Sequence, residues 1–145
     1  MASETRADVL SSLPHRPPFL FVDAIVDRGE RWIVTEWTAR ADLECFAGHY
    51  PGKPVLPGVL IAEFAFQSAS ILLAELATRG GVPVLTRIQD ARFKAMVRPG
   101  ETLRAEVREV ERLGQAAWLE ATVTSDGRKV LTLRFTLALA GREEP

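Results

Sequence analysis

The sequence predicts an α+β fold in which an antiparallel sheet of about six strands wraps one long, buried helix. Three observations point there. The longest apolar-rich run, Val59 to Leu76, carries helix punctuation at both ends. Runs rich in β-branched, leucine and aromatic residues lie on either side of it. The last two of these join through Ser125-Asp-Gly127, a tight-turn signal that connects antiparallel neighbours.

Composition narrows the classes. A chain of 145 residues with 47% hydrophobic residues can bury a core of its own, so residues 1–145 are expected to form a single domain. A formal net charge of -1 argues against a nucleic-acid-binding regulator and against bulk attraction to anionic membranes. One cysteine, Cys45, rules out an internal disulfide, and the opening MASETRADVLSS lacks an apolar signal core. A cytoplasmic location is the expectation. The run from 59 to 76 is broken by Glu63, Gln67, Ser68, Ser70 and Glu75, too polar for a membrane span.

In chain order, Thr5-Arg-Ala-Asp8 has capping-box form and predicts a short helix that ends near Leu13, before Pro14. His15-Arg-Pro-Pro18 reads as extended loop. Phe19 to Asp27 and Arg31 to Ala39 read as a hairpin about Arg28-Gly-Glu30. Residues 47–58 hold three prolines and three glycines, which makes a stiff, sharply shaped loop. Pro57 suits the first turn of a helix to about Arg79, roughly 22 residues or ~33 Å, with Gly80-Gly81 as the stop. Val84 to Val97, Thr102 to Glu111, Ala116 to Thr124 and Lys129 to Ala140 read as strands. In the last, Leu131, Leu133, Phe135, Leu137 and Leu139 share one face.

Chemistry concentrates on few residues. Glu63 sits within Val-Leu-Ile-Ala-Glu-Phe-Ala-Phe, where a bare carboxylate is expensive. Desolvation raises a carboxyl pKa, and a neutral carboxyl donates a proton; the other reading is an ion pair with a buried arginine such as Arg16 or Arg92. Gln67 and Ser70 share its helix face. His49 lies in the stiff loop and titrates near neutrality, as a base requires. His15, in its proline-bound loop, reads as structural or solvated. Gly58 opens the helix, where free N–H groups favour a developing oxyanion. Cys45 reads as a structural thiol. Trp32, Trp37 and Trp118 read as core or interface residues. No metal-ligand cluster, phosphate loop or dinucleotide fingerprint is present, so neither metal nor cofactor is expected.

Taken together, these segments resemble the bacterial 3-hydroxyacyl-acyl-carrier-protein dehydratases, in order, from about Leu10 to Leu139. Leu13-Pro-His-Arg-Pro-Pro-Phe-Leu-Phe-Val-Asp23 resembles the family's opening, and Gly48-His-Tyr-Pro-Gly-Lys-Pro-Val-Leu-Pro-Gly-Val59 its active-site loop. Glu63-Phe-Ala-Phe-Gln67 resembles its acid-bearing helix, fourteen residues beyond the histidine. Arg92-Phe93 and Val97-Arg-Pro-Gly-Glu-Thr-Leu103 resemble a later strand and turn.

The resemblance implies a hotdog fold and a cofactor-free hydro-lyase of fatty-acid biosynthesis. It also implies an active site shared across a homodimer, alone or in a trimer of dimers. His49 would be the base and Glu63 of the other subunit the acid, with either Glu63 or protonated His49 returning the proton to the hydroxyl. The Gly58 N–H would hold the thioester carbonyl, with Val59, Gln67, Phe66 and Tyr50 beside the substrate. Lys53, Arg92, Lys94 and Arg98 would meet an acyl carrier protein bearing acyl-phosphopantetheine. Tyr50 stands where the family usually has Phe. Phe66 stands where a small residue is usual, which bears on acyl length. A hotdog thioesterase, a specialised polyketide or lipid dehydratase, and a non-catalytic acyl-thioester binding module are the alternatives.

Overall fold

The computed structural model describes residues 6–74 and 81–141. In chain order the elements are α1 (Arg6–Ser12), β1 (Ala24–Arg28), β2 (Trp32–Thr38), α2 (Cys45–Gly48), α3 (Gly58–Leu72), β3 (Gly81–Phe93), β4 (Thr102–Leu113), β5 (Ala116–Ser125) and β6 (Arg128–Gly141). The six strands form one antiparallel sheet in the order β1-β2-β4-β5-β6-β3. Tight turns explain most of that order. Asp126 and Gly127 both take positive φ (50 and 76), as the two-residue turn between β5 and β6 demands. The chain leaves β2, passes through α3, and re-enters the sheet as β3 on the far edge, beside β6.

Alternation sets the buried face. Leu103, Ala105 and Val107 of β4, and Leu119, Ala121 and Val123 of β5, point inward with Leu131, Leu133, Phe135 and Leu137 of β6. α3 lies against that face and touches β2, β3, β4, β5 and β6, and every residue from 64 to 72 is buried. Two kinds of contact fix its position. Phe64, fully buried, packs its ring 5.7 Å from Trp37. One turn on, Ser68 shares a 2.6 Å hydrogen bond with Thr35 of β2, both hydroxyls being buried. An apolar helix can rotate on an apolar sheet; a buried hydroxyl pair gives it one register.

Several boundaries differ from the sequence expectation, each for a physical reason. α3 ends at Leu72, where Leu73 takes φ -93 and ψ 4 and interrupts the helix, although Ala74 is helical again. The expected continuation over residues 75–80 lies outside the described residues, as does Thr5 of the capping box. Gly81 is a strand residue paired with Gly141, not a helix stop. β3 therefore starts before Val84, and Pro83 is tolerated there because β3 is an edge strand. It ends at Phe93, not Val97, since the Val97 carbonyl accepts from the Leu56 N–H at 2.8 Å and leaves the ladder. The first strand begins at Ala24 because Phe19 and Phe21 are bonded to the Gln67 side chain instead of to a strand.

The turn after β3 is itself pinned. Glu101 accepts hydrogen bonds from the Arg98 N–H (2.6 Å), Ser125 (2.7 Å) and Arg128 (2.8 Å). Burial opposes ionisation there, yet these bonds hold its carboxyl below the usual range. The anchored turn presents the Val97 carbonyl that steadies the loop before α3.

The core offers a direct measure of how much α3 contributes to stability. Phe64→Ala should lower unfolding stability by about 3–5 kcal/mol, read as a shift of the urea midpoint at unchanged slope.

Candidate active site

The loop between β2 and α3 is shaped by its backbone. Cys45 to Gly48 form one helical turn, a short helix that the periodicity of the sequence does not announce. The His49 N–H closes it on the Cys45 carbonyl at 3.0 Å. Tyr50 then takes a positive φ of 57, Gly52 one of 98, and the Lys53 N–H reaches back to the Tyr50 carbonyl at 3.1 Å. The loop thus folds on itself and turns the His49 ring inward.

That ring is held by a single decisive bond. Its Nδ1 lies 2.7 Å from the Val55 carbonyl oxygen. A carbonyl only accepts, so the neutral ring carries its proton on Nδ1 and keeps the Nε2 lone pair free for a proton from elsewhere. Tyr50, two-thirds exposed, sets its ring edge-on to the imidazole with centroids 4.6 Å apart.

Pro57 caps α3 from outside the helix (φ -58, ψ 131), so Gly58 is the first helical residue and its N–H has no acceptor within the helix. The glycine lets the Phe93 ring approach closely. A Cβ at this position would sit 2.8 Å from the Phe93 ring of β3. Val59 is largely exposed beside it. Residues 58 and 93 thus bring the helix start and the end of the edge strand together.

Glu63 lies one and a half turns into α3, its side chain 22% exposed. Burial pushes its carboxyl above the usual range, while a bond from Gln67 and the nearby His15 pull part of the way back. The ion-pair reading fails on geometry. Arg16 donates to the Leu10, Leu13 and His15 carbonyls, and Arg92 pairs with Asp90 at 3.1 Å. Gln67 is fully buried. Its Nε2 donates to Glu63 Oε2 (3.1 Å) and to the Phe19 carbonyl (3.0 Å), while its Oε1 accepts from the Phe21 N–H (2.9 Å). Its amide therefore steadies the acid and the segment beside it.

His15 is the residue the sequence undervalued. Its Nε2 stands 3.7 Å from Glu63 Oε2. Nothing in its local context signals this, because the contact spans two segments 48 residues apart. Phe93 was passed over as a strand residue for the same reason.

The other expected residues fall into place without crowding. Phe66 is buried against Phe135, ring centroids 4.9 Å apart. Lys53, Arg92, Lys94 and Arg98 are all exposed. Burial pushes the Cys45 thiol up, which disfavours a thiolate nucleophile. Trp37 belongs to the core, whereas Trp32 is partly exposed. A cavity of about 440 Å³ lies beside Phe19, Phe21, Trp37 and Leu60, but neither His49 nor Glu63 lines it. Among the described residues no group of three His, Cys, Asp or Glu side chains converges as a metal site would need. No described helix is long and apolar enough to cross a membrane.

A six-stranded antiparallel sheet with one helix across its inner face is the hotdog architecture, here carrying a tautomer-fixed histidine and a half-buried carboxyl. Solved structures bear out the fold. The chain superposes on the dehydratase heterocomplex ApeI:P from Xenorhabdus doucetiae with a TM-score of 0.79, at 15% identity over 92% of this chain and 91% of that one. An uncharacterised protein from Pyrococcus horikoshii gives 0.69, at 20% identity over 85% and 86%.

Sequence comparison goes further. The ApeI-like family model, described as ApeI dehydratase, matches residues 26–131. The 3-hydroxyacyl-acyl-carrier-protein dehydratase FabZ of Thermotoga petrophila is 41% identical over 132 residues, covering 90% of this chain and 94% of the relative. That of Lactococcus lactis is 35% identical over 133 residues, covering 91% and 92%. The chain belongs to this dehydratase family and is a hydro-lyase.

The raised Glu63 carboxyl has a stability consequence. Its protonated form is favoured in the folded protein, so its contribution is complete below the unfolded carboxyl pKa and is lost as pH rises through the folded value. Glu63→Gln should therefore gain melting temperature relative to wild type as pH rises above the ordinary carboxyl pKa of about 4.3 toward the raised folded value. A difference that stays flat across that window would show the carboxyl to be unperturbed.

Proposed function

We propose that this hydro-lyase removes water from a 3-hydroxyacyl thioester carried on acyl-carrier-protein phosphopantetheine, giving the trans-2-enoyl thioester of fatty-acid biosynthesis. The observation that carries this reading is the opposite preparation of two groups. His49 is fixed with an open Nε2, fit to take a proton. Glu63 is kept toward its neutral form by burial, fit to give one.

In this reading the Gly58 N–H holds the thioester carbonyl, with Val59 and Tyr50 along the bound arm. His49 Nε2 takes the α-proton, and the C–H electron pair forms the double bond. The hydroxyl leaves with the proton of Glu63 as water. Phe66, packed on Phe135, stands one turn beyond Glu63 and bounds the acyl path.

A second copy of the chain completes the site. Two features support this partner. Among the described residues β3 bonds only to β6, which leaves one edge of a 13-residue strand open. Val82, Val84, Leu85 and Ile88 on that strand are exposed, an apolar surface that natural edge strands avoid leaving bare. Pairing through β3 brings the Phe93–Gly58 corner of each copy to the seam, His49 of one copy serving Glu63 of the other. A second reading keeps the same elimination, as the match to the ApeI dehydratase family model allows, in a specialised lipid or polyketide pathway.

His49→Ala and Glu63→Gln should each lower kcat by about 10²–10⁴-fold, followed as enoyl thioester absorbance. Co-expressing the two variants in equal amounts should restore about a quarter of wild-type turnover, because half the dimers then hold one intact site. No restoration would place both groups within one chain. For the carrier surface, Arg92→Glu or Lys94→Glu should raise KM for carrier-linked substrate while leaving a small thioester unaffected. Equal effects on both substrates would remove that surface from the carrier interface.

A further inference from the structure

We propose that His15 is a positioning residue for the acid: with Gln67 it occupies Oε2 of Glu63, so that the transferable proton is held on Oε1. The inference rests on reading Glu63 as the group that protonates the leaving hydroxyl.

Two donors from different segments converge on one oxygen. Gln67 Nε2 lies 3.1 Å from Oε2, and His15 Nε2 lies 3.7 Å from the same atom. The first is a hydrogen bond. The second is longer than a hydrogen bond, a polar contact within ion-pair reach, and catalytic contacts are often long until substrate closes the site. The other ring nitrogen decides the tautomer. His15 Nδ1 is buried and has no hydrogen-bond partner. A proton there would face no acceptor, whereas on Nε2 it faces a carboxyl oxygen, so the neutral ring carries its proton toward Glu63. This is the reverse of His49, whose Nδ1 proton is claimed by Val55. The chain's two imidazoles are thus set in opposite tautomers, one to accept and one to donate.

The ring is held for this task. It stacks on Phe19 at 6.4 Å, and a ladder of ring contacts continues through Phe21 and Trp37 to Phe64 on α3. The Phe19 carbonyl is bonded by the same Gln67 amide that bonds Glu63. Arg16, the adjacent cation, turns its guanidinium away to the Leu10, Leu13 and His15 carbonyls. With Oε2 occupied by two donors, a proton on that oxygen would clash with them. It belongs on Oε1, whose transfer to the departing hydroxyl leaves a carboxylate already bonded at Oε2.

The test compares His15→Phe, which keeps the stacking and loses the donor, with His15→Gln, whose side-chain N–H replaces the ring N–H. Glu63→Gln is run in parallel. His15→Phe should lower kcat on the order of tenfold to a hundredfold, with KM within about twofold of wild type. It should also move the Glu63 titration upward, read from the carboxyl carbon-13 signal that vanishes in Glu63→Gln. His15→Gln should restore both the rate and the titration. Wild-type kcat and titration in His15→Phe would overturn the proposal, and so would a His15→Gln variant as impaired as His15→Phe. Full turnover in Glu63→Gln would instead remove the acid itself, a distinct failure that takes the proposal with it.

Discussion

One buried amide holds the acid half of this site together. Gln67 is sealed from solvent in the middle of α3, and burying a primary amide is unfavourable unless its donors and acceptor are used. The structure uses them on two otherwise independent parts of the chain: the backbone at Phe19 and Phe21, and the carboxyl of Glu63. Because a fully buried amide spends its hydrogen bonds on those groups, they tie the segment after α1 to the helix. That placement brings His15 to Glu63 and stacks the aromatic ladder that runs back into the core.

The base half is governed by a different constraint, the shape of a loop. Its glycines and prolines set unusual dihedrals, and its far end is tied through the Leu56–Val97 bond to a turn that Glu101 stabilises. The Val55 carbonyl is therefore fixed where it selects the His49 tautomer. A helix and a loop, held by unrelated interactions, each fix one titratable side chain: Glu63 beside Gln67, and the His49 ring on the Val55 carbonyl. Such division suits a site assembled across a symmetry axis, since each half is rigid before its counterpart arrives.

Much of this was legible in the residues. Alternation placed β4, β5 and β6 within a residue or two, because each buries one face and the period of two allows a single solution. His49, Gly58 and Glu63 could be named as candidates because a stiff loop, the free N–H groups of a helix start and a carboxyl inside an apolar helix are all read from the residues. The edges of elements were less legible. The start of β1 depends on a side-chain bond from α3, and the end of β3 on a carbonyl drawn away to Leu56. Neither partner is near in sequence.

The chain by itself thus indicated about six strands, the buried helix, and His49 and Glu63 as candidate proton-moving groups, because local periodicity, a stiff loop and the cost of burying charge are all read from the residues. Only the tertiary structure decided what surrounds those groups. It set the His49 tautomer, replaced the expected arginine partner of Glu63 with Gln67 and His15, and placed Phe93 against Gly58. The physical reason is common to all three. Hydrogen bonds and ring contacts act over a few ångströms in space, and folding brings together partners that tens of residues separate along the chain.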